Sequence, residues 1–433
     1  MFRSFRYFGF LSLAVFLLGG CQNKTIVPEG ETQPGEKIYT GCIPQNPDHL
    51  PKLYLNFPEG YTLDDIRKEN WTENCSVSIQ ATVKGTEATV FTAEEARVKA
   101  HGNSTLQMYP KKPLTLKFQE QANFIGTGKT KHWVLLANWM DRTLLRNDVA
   151  FELARHTSLE WTPAGTFVDL YLNGEYYGLY WLGEKIHVEG SHFTCDYFYS
   201  FDTSDKTEHD FDTHHGHWKN ATAMGGIPVE LKYPDRDDYS AEQFHSILLS
   251  AEKTLFGIED AVMRGEDPST LMDMDTLCDF YLVQEVTGNG EIRFPKSTFL
   301  YAKGGKLFWG PVWDFDYGTF MPEYHQLGLK STLYYYQLWT NPVFRSHLKH
   351  RWSILMPEFR KVASTYIDGR AAYIRESEGL NHETWPCFPN PMAEGPDGLV
   401  NGDEQMTFDQ AVSRLKNTLL DRIAEMDLEI NRL

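Results

Sequence analysis

Residues 306–318 read KLFWGPVWDFDYG, so that two acids, Asp314 and Asp316, stand among large aromatic residues directly after a strand-like run. A bare carboxylate is costly to remove from water, and acids in such surroundings need a partner. A divalent cation is one such partner, because hard cations bind oxygen ligands and residues i and i+2 of an extended segment face the same side. The alternative is a structural pair that caps a turn through backbone N–H groups.

The second half of the chain around this stretch is predicted to be mainly helical. Helical periodicity covers residues 241–256, 273–286, 340–378 and 405–433. A β-ribbon is predicted among these helices, from residues 298–301 and 306–309, which turn at Gly304-Gly305. Residues 196–227 are polar, rich in histidine and poorly periodic, which indicates an insertion or mobile loop. Its motif His214-His215-Gly216-His217 is interpreted as part of that solvated loop, because no carboxylate or cysteine shows ligand spacing around it.

The first half is predicted to be rich in β-strands and to carry one helix. Residues 142–159 change to helical periodicity, with Asp141 as a plausible cap. A hairpin is predicted at Asn173-Gly174, since Asn-Gly is the strongest two-residue signal for one. The strand-like runs lie at residues 53–55, 77–79, 81–83, 88–90, 96–100 and 114–118, and in the hairpin at 167–172 and 176–181.

The N-terminus has the layout of an export signal. Arg3 and Arg6 precede an apolar run over residues 8–18, which is short for a transmembrane helix. The run ends in Leu18-Gly19-Gly20-Cys21, which resembles a bacterial lipobox. We therefore predict a lipoprotein signal peptide over residues 1–20, a lipid on Cys21 that anchors the protein to a membrane, and a place in the cell envelope outside the cytoplasm. The alternative is an ordinary cleaved signal with a chance cysteine.

Composition bounds the remainder. Residues 21–50 are rich in proline, glycine and polar residues, which predicts a tether, and residues 51–433 form the folded part. With 41% hydrophobic and 14% aromatic residues, the 433-residue chain suits one large or two closely joined domains. The formal net charge is −18, or −20 without the signal, which argues against nucleic acid and a polybasic membrane contact. The five cysteines after Cys21 form no CxxC motif, so no zinc site is indicated.

Four segments in order resemble the CotH kinase-like family, named for a spore-coat protein, and a fifth at residues 231–235 (LKYPD) fits more loosely. Together they cover about residues 85–360. The four are His101-Gly102-Asn103-Ser104 with residues 111–118 (KKPLTLKF), residues 141–147 (DRTLLRN), residues 173–185 (NGEYYGLYWLGEK), and the acidic stretch with Asn289-Gly290-Glu291.

That family is similar to atypical protein kinases. The resemblance implies an α+β, two-lobe kinase-like fold, with a β-rich N-terminal lobe over about residues 51–185 and a mainly helical C-terminal lobe over 186–433. It also implies an ATP site between the lobes and metal-dependent phosphoryl transfer. Such transfer needs a cover for the phosphates, a lysine held by a glutamate, metal-binding carboxylates, and a residue that orients the acceptor hydroxyl.

The predicted phosphate cover is Gly102, Asn103 and Ser104, because glycine lets backbone approach a phosphate and the polar residues supply donors. A plain turn between strands is the alternative. The family pattern usually has arginine where His101 stands. Histidine is mostly neutral at pH 7, so we expect a weaker or pH-dependent phosphate contact here.

The predicted phosphate-positioning lysine is Lys117, because strand alternation places it with Thr115 on the face opposite to the apolar residues. Its predicted partner is Glu152. The alternatives are a solvated lysine and an i,i+3 pair between Glu152 and Arg155. Arg146 is a further candidate for a phosphate contact, since a guanidinium is a fork for oxyanions.

Residues 180–185, including Glu184, resemble a kinase hinge and are predicted to contact ATP. Where the family pattern has Asn-x-Asp, this chain has Asn289 and Glu291, which are predicted to orient the acceptor. The longer glutamate moves its carboxylate by about 1 Å, a shift that can cost on the order of a hundredfold in rate. Glu285, at the end of the preceding helix, is the reserve candidate.

Asp314 and Asp316 are the predicted ligands of Mg²⁺ or Mn²⁺. Asp314 is favoured as the direct ligand because Asp314-Phe315 is similar to the metal-binding Asp-Phe-Gly of kinases, with Asp316 holding a second metal or a bound water. The sequence thus predicts a lipid-anchored, extracytoplasmic kinase that transfers phosphate from ATP to a protein hydroxyl. The alternatives are a weak or inactive pseudokinase that acts as a surface binding or assembly lipoprotein, and a glycan-binding protein.

Overall fold

The computed structural model describes residues 42–44, 47–126, 129–188, 192–201, 211–212, 226–293, 295–322, 327–387 and 400–433. The predicted signal peptide, Cys21, most of the tether and the motif His214–His217 lie outside these residues. Within the described part of the chain, no helix is both long and apolar enough to cross a membrane.

The N-terminal half forms a closed barrel of seven strands in the order β1-β2-β3-β4-β5-β7-β6. Neighbouring strands are antiparallel, except that β1 and β6 run parallel and close the barrel. The predicted hairpin at Asn173-Gly174 is confirmed as the connection of β6 and β7. The strands are β1 (Lys52–Asn56), β2 (Thr72–Val83), β3 (Thr86–Ala100), β4 (Leu114–Ala122), β5 (Thr130–Leu136), β6 (Gly165–Leu172) and β7 (Glu175–Glu184).

Strand alternation fills this barrel and leaves polar side chains on its outer face. In β4, Leu114, Leu116 and Phe118 point into a dry core with residues from the other strands. Side chains at i and i+2 share a face, so Thr115 and Lys117 point the other way. The outer face of β3 and β4 therefore carries Lys99, Thr115 and Lys117, which belong to the candidate site.

A second sheet has five strands in the order β12-β11-β8-β10-β9. The predicted ribbon is confirmed as β11 (Thr298–Lys303) and β12 (Lys306–Trp309), while β9 (Phe211–Asp212) and β10 (Pro228–Tyr233) lie at the other edge. The prediction of a loop over residues 196–227 was wrong for β8 (Tyr197–Phe201), which pairs with β10 and β11. Nearly every residue of β8 is buried, so the strand shows no polar–apolar alternation to recognise.

Most helices follow the barrel, which confirms an α+β fold with a β-rich first half and a helical C-terminal part. The helices predicted in the second half are present, although residues 340–378 are split by a π-helical turn at Val362–Tyr366. The helices are α1 (Ser104–Met108), α2 (Arg146–Arg155), α3 (Ala241–Met263), α4 (Met274–Thr287), α5 (Tyr335–Leu338), α6 (Pro342–Lys361), α7 (Ile367–Thr384) and α8 (Phe408–Asn431).

Helix α2 is shorter than the predicted range 142–159. Asp141 does not cap a helix at residue 142, because Leu144 has a left-handed backbone with φ of +60°. The Asp141 carboxylate instead accepts hydrogen bonds from the backbone N–H groups of Thr143 (2.9 Å) and Arg146 (2.7 Å). The helix therefore begins one turn later, at Arg146.

Helix α4 lies at the centre of the largest hydrophobic cluster. All of its residues except Asp275 are buried, and α2, α6 and α8 pack around it. It ends at Gly288, whose left-handed backbone (φ +65°) turns the chain out of the core. Asn289 and Glu291 follow at once, so the rigid centre of the helical part fixes the start of the segment that carries them.

Candidate active site

The acid-rich turn brings two carboxylates together in a place from which water is largely excluded. Asp316 is only 7% exposed, and Asp314 is half-buried. Burial raises the pKa of the Asp316 carboxyl well above its usual value, and the nearby carboxylate of Asp314 adds to the effect. Two acids so placed need a shared proton or a cation between them.

Two asparagine side chains clamp the backbone of this turn. Asn147 on α2 accepts a hydrogen bond from the N–H of Phe315 (2.7 Å), which lies between the two acids. Asn401 donates to the carbonyl of Asp316 (2.9 Å) and accepts from the N–H of Gly318 (2.8 Å). Both amides are buried. The spacing of the carboxylates is thus set by residues far away in the sequence.

Strained backbone is concentrated in and around this turn. Nine residues other than glycine have positive φ in the described part of the chain, and five belong to the turn or to segments that contact it. Such conformations cost free energy and tend to persist at functional sites. The five are Asn138 (+46°), Leu144 (+60°), Ser297 (+46°), Asp314 (+68°) and Phe320 (+53°).

Arg146, predicted to contact a phosphate, is instead the centre of a buried ion-pair network. It is 1% exposed, and its guanidinium pairs with Asp141 and with Asp403 (2.5 Å). Although burial opposes its charge, these carboxylates raise its pKa. Its Nε also donates to the carbonyl of Thr319 (3.3 Å), just beyond the acids. The prediction was wrong because the guanidinium binds Asp403, which lies 257 residues away in the sequence.

Glu152 does not pair with Lys117, so that prediction was also wrong. Its carboxylate binds Arg155 (2.7 Å) and His156 (3.4 Å) on its own helix. Burial works against ionisation, but the hydrogen bonds from His156 and Arg155 lower the pKa of the Glu152 carboxyl to about 2. The i,i+3 pair with Arg155, which was the alternative, is the one that forms.

The segment with Asn289 and Glu291 is fastened to the acid-rich turn at both ends. The carbonyl of Thr287 accepts from the N–H of Phe320 (2.7 Å), and the hydroxyl of Ser297 donates to Asp314 Oδ2 (3.0 Å). Asn289 is buried, and its side-chain oxygen accepts from the N–H of Glu291 (3.1 Å). Asn289 therefore shapes the 3₁₀ turn that presents Glu291.

Glu285, the reserve candidate, is a structural residue. It is fully buried and pairs with Arg422 of α8. It also accepts hydrogen bonds from the backbone N–H groups of Gly328 and Leu329 (2.9 Å each). Burial raises the pKa of its carboxyl. Its oxygens are committed to joining α4 and α8, which leaves Glu291 as the acid of this segment.

Opposite the acids, the outer face of the barrel carries a cluster of lysines. Lys117 on β4 lies opposite Arg97 of β3, so Lys99, two residues further along β3, is its diagonal neighbour. Lys185 follows β7. Burial lowers the pKa of Lys185 to about 8, and the charges of Lys99, Lys232 and Lys117 contribute. Burial also lowers the pKa of Lys99, helped by Lys68, Lys117 and Lys232.

No carboxylate in the described part of the chain neutralises the three central members, Lys99, Lys117 and Lys185. Lys99 lies 4.7 Å from the ring centroid of Trp71, which is a cation–π contact rather than an ion pair. Lys232 at the edge of the cluster pairs with Glu230 (2.5 Å). In a protein of formal net charge −18, such a group of cations is a local concentration of positive charge that attracts anions.

The predicted phosphate cover lies where the lysines approach the acids. His101 contacts Trp313, the residue before Asp314, with ring centroids 6.4 Å apart. Burial, together with Lys185, Lys68 and Lys99, lowers the pKa of His101 to about 3, so the ring is neutral at physiological pH. Its Nδ1 is 3.0 Å from the hydroxyl of Thr115.

The cover itself is a tight turn. Gly102 has φ of +81°, and a Cβ there would meet the hydroxyl of Thr105 at 2.3 Å, so only glycine fits. The amide oxygen of Asn103 accepts a hydrogen bond from Lys68 of the lysine cluster. Ser104 begins the short helix α1. The turn thus lies beside Lys68, and its predicted role as a phosphate cover stays a prediction.

Glu184 is buried at the end of β7, one residue before Lys185. Its Oε2 accepts from the N–H of Ala164 (3.3 Å), and its Oε1 lies 3.9 Å from His192 Nε2. These contacts fix the exit of the chain from the barrel. Its predicted contact with ATP stays a prediction.

The sequence analysis missed several residues of this site. Lys99 had a usable signal, because Arg97 and Lys99 alternate along β3 and share a face with Lys117. Lys185 had a weaker one, as a charge just after a buried strand. Asn147 and Asn401 had none, since an asparagine that holds backbone looks like any other asparagine. Ser297 likewise shows its role only in three dimensions.

The described part of the chain contains no group of three or more His, Cys, Asp or Glu side chains arranged to hold a metal ion. The donor set at the turn consists of two carboxylates. This fits a hard cation such as Mg²⁺, which typically takes one or two carboxylates from the protein and further oxygens from phosphates and water.

Comparison with known proteins identifies a family. Residues 98–426 match the model of the family described as CotH kinase protein. That span begins on β3 and ends within α8, so it contains Lys99, Lys117 and Lys185, the phosphate cover and the acid-rich turn. No curated protein matches the chain.

Replacement of Arg146 by methionine tests its structural role. We expect Arg146→Met to lower the free energy of unfolding by about 3–5 kcal/mol, because it leaves Asp141 and Asp403 buried without a counter-charge. Equilibrium urea denaturation measures the change. Arg264→Met, which removes an exposed ion pair with Glu266, is the control and should have little effect. A similar small loss at Arg146 would contradict the network.

Proposed function

Because this chain belongs to the CotH kinase protein family, we propose that it is an ATP-dependent kinase that uses Mg²⁺ or Mn²⁺ to phosphorylate a protein hydroxyl. We further propose that the barrel and the helical part form two kinase-like lobes with the nucleotide between them. The protein is lipid-anchored through Cys21 and acts in the cell envelope, outside the cytoplasm.

One observation carries this proposal: a group of lysines lies on one side of a single ring contact, and the two neighbouring acids of the turn lie on the other side. His101 belongs to the lysine side, Trp313 belongs to the acid side, and their rings meet. A polyphosphate chain with a divalent cation has the complementary pattern, since its oxygens suit lysines and its metal suits carboxylates. A nucleoside triphosphate therefore fits both sides at once.

Mutual repulsion within each half supports the same assignment. Lys99 and Lys185 have lowered pKa values, and Asp316 has a raised one, so each group is held in an environment that disfavours its charge. A bound anion relieves the first repulsion, and a bound cation relieves the second. Perturbed pKa values in neighbouring groups of opposite charge are typical of functional sites.

The residues have the following roles in the proposed reaction. Lys99, Lys117 and Lys185 bind the phosphate oxygens, and the turn from Gly102 to Ser104 covers them. Asp314 and Asp316 hold the divalent cation, which when bound offsets the charge that develops on the transferred phosphoryl group. Glu291, presented by Asn289, orients the acceptor hydroxyl and accepts its proton.

A thermal-shift assay tests nucleotide and metal binding. We expect ATP with Mn²⁺ to raise the melting temperature of the wild type, because ligand binding stabilises the folded state. Asp316→Asn should melt at a higher temperature than the wild type without ligand, since it removes the repulsion with Asp314, yet lose the Mn²⁺-dependent shift. Asp421→Asn, which changes an exposed acid on α8, is the matched control.

Two results would contradict the kinase proposal. One is a wild type whose melting temperature does not change with ATP and Mn²⁺, and the other is an Asp316→Asn variant whose melting temperature changes as much as that of the wild type. Binding without transfer of labelled phosphate to any protein acceptor would indicate the pseudokinase. In that case Glu291→Asp, which shortens the acid by one methylene, tests whether its length is what prevents transfer.

The pH dependence of ATP binding tests the role of Lys185. Its pKa of about 8 means that the ammonium is present below pH 8 and is lost above it. Affinity should therefore fall as the pH rises from 7.5 to 9.5, by up to about tenfold per unit above 8. His101 is neutral throughout this window. Isothermal titration calorimetry measures both the affinity and the proton taken up.

Two variants separate Lys185 from other sources of pH dependence. Lys185→Arg keeps its charge across the window, so its affinity should stay flat. Lys185→Gln should bind weakly and equally at every pH, whereas Lys253→Gln, on the exposed side of α3, should behave as the wild type. A Lys185→Gln profile that still falls above pH 8 would assign the titration to another group.

Membrane attachment is tested by replacing the predicted lipid acceptor. Cys21→Ser should abolish incorporation of labelled palmitate and move the protein from the detergent phase to the aqueous phase in Triton X-114 partition, because the thiol is the attachment atom. Cys195→Ser, at a free cysteine of the folded part, is the control. Continued labelling of Cys21→Ser would reject the anchor without bearing on nucleotide binding.

A further inference from the structure

Ser297 makes a single contact that links two parts of the candidate active site. Its hydroxyl donates a hydrogen bond to Asp314 Oδ2 at 3.0 Å. It lies just before β11, at the end of the segment that begins after α4 and carries Glu291. One hydroxyl therefore joins the segment of the proposed acceptor-orienting acid to the first of the two cation-binding acids.

The backbone of Ser297 shows that this contact is kept at a cost. Its φ of +46° lies in the left-handed region, which glycine and asparagine adopt more readily than serine. Asp314, its partner, has φ of +68°. The hydrogen bond therefore joins two residues that are both in a costly backbone conformation, and such residues cluster at functional sites.

We propose that Ser297 is a positioning residue for the divalent cation. Its single proton is directed at one oxygen of Asp314, which fixes the plane of that carboxylate and so the direction in which it faces Asp316 and a cation. Because Ser297 ends the segment of Glu291, the same contact holds that segment against the carboxylate that would bind the cation. This inference rests on the proposed function.

Ser297→Gly and Ser297→Ala separate the hydroxyl from the backbone. Both remove the hydrogen bond, but only glycine relieves the left-handed strain. We expect both to weaken Mn²⁺ binding in the presence of a non-hydrolysable ATP analogue by about tenfold, as for a hydrogen bond to a charged group. Ser297→Gly should nevertheless melt at or above the temperature of the wild type, and Ser297→Ala at or below it.

The measurements are free Mn²⁺ by electron paramagnetic resonance and the melting temperature without ligand. Ser297→Asn, which tolerates the left-handed backbone and offers an amide donor, should recover part of the affinity. A purely structural role predicts instead that Ser297→Gly binds Mn²⁺ as the wild type does, and that result would overturn the proposal. Equal binding by all variants would overturn it too.

The same titration distinguishes this inference from the proposed function. If the wild type binds Mn²⁺ with the analogue and the variants do not differ, only the role of Ser297 fails. If the wild type itself does not bind Mn²⁺ with the analogue, the proposed function is wrong, and this inference, which rests on it, is wrong too. Where transfer is measurable, the loss should appear in the KM for the metal–nucleotide complex more than in kcat.

Discussion

The buried guanidinium of Arg146 is the interaction on which the site depends. It joins Asp141, at the entry to α2, to Asp403, in the loop before α8, and it holds the backbone at Thr319 just after the acid-rich turn. Three segments that are distant in the sequence therefore meet on one side chain. A charge buried this deeply stabilises a structure only when each partner is present, which makes the arrangement specific rather than merely stable. Burial raises the pKa of the Asp403 carboxyl, although the charge of Arg146 works in the opposite direction. The ionised form of Asp403 therefore depends on Arg146.

The acids on the turn remain outside that balance. Arg146 offsets Asp141 and Asp403, whereas at Asp316 both burial and the neighbouring carboxylate of Asp314 disfavour the charged form. Across the contact of His101 with Trp313, the lysines have the opposite excess. The fold thus places a group of lysines and a pair of acids on either side of a neutral contact between two rings. Within each group, charges of the same sign repel one another, which lowers stability. Functional sites commonly lower the stability of the folded state in this way.

Sequence alone predicted what depends on neighbours in the chain and failed where distant partners decide. The hairpin at Asn173-Gly174 and the outward direction of Lys117 follow from turn chemistry and from the period of a strand, both of which are local. Arg146 was predicted to contact a phosphate because its residue type suits it, but its partner Asp403 is distant in the sequence and only the fold reveals it. Glu152 was predicted to pair with Lys117, and the local alternative, an i,i+3 pair with Arg155, is the one that forms. Strand β8 was missed because burial on both faces removes alternation.

The histidine at position 101 shows how a local departure can be balanced by the surroundings. The resemblance to the family leads one to expect arginine there, and a neutral histidine at first suggests a weaker phosphate site. The environment of His101 explains why it carries no charge: burial lowers its pKa to about 3, and Lys185, Lys68 and Lys99 add to the effect. A permanent cation at this position would have to be buried among three others, at a further cost in repulsion. The positive charge instead lies on the lysines around it, and because Lys185 has a pKa of about 8, part of that charge responds to pH. His101 is then a neutral contact between the surrounding lysines and Trp313, the residue before the first acid of the turn.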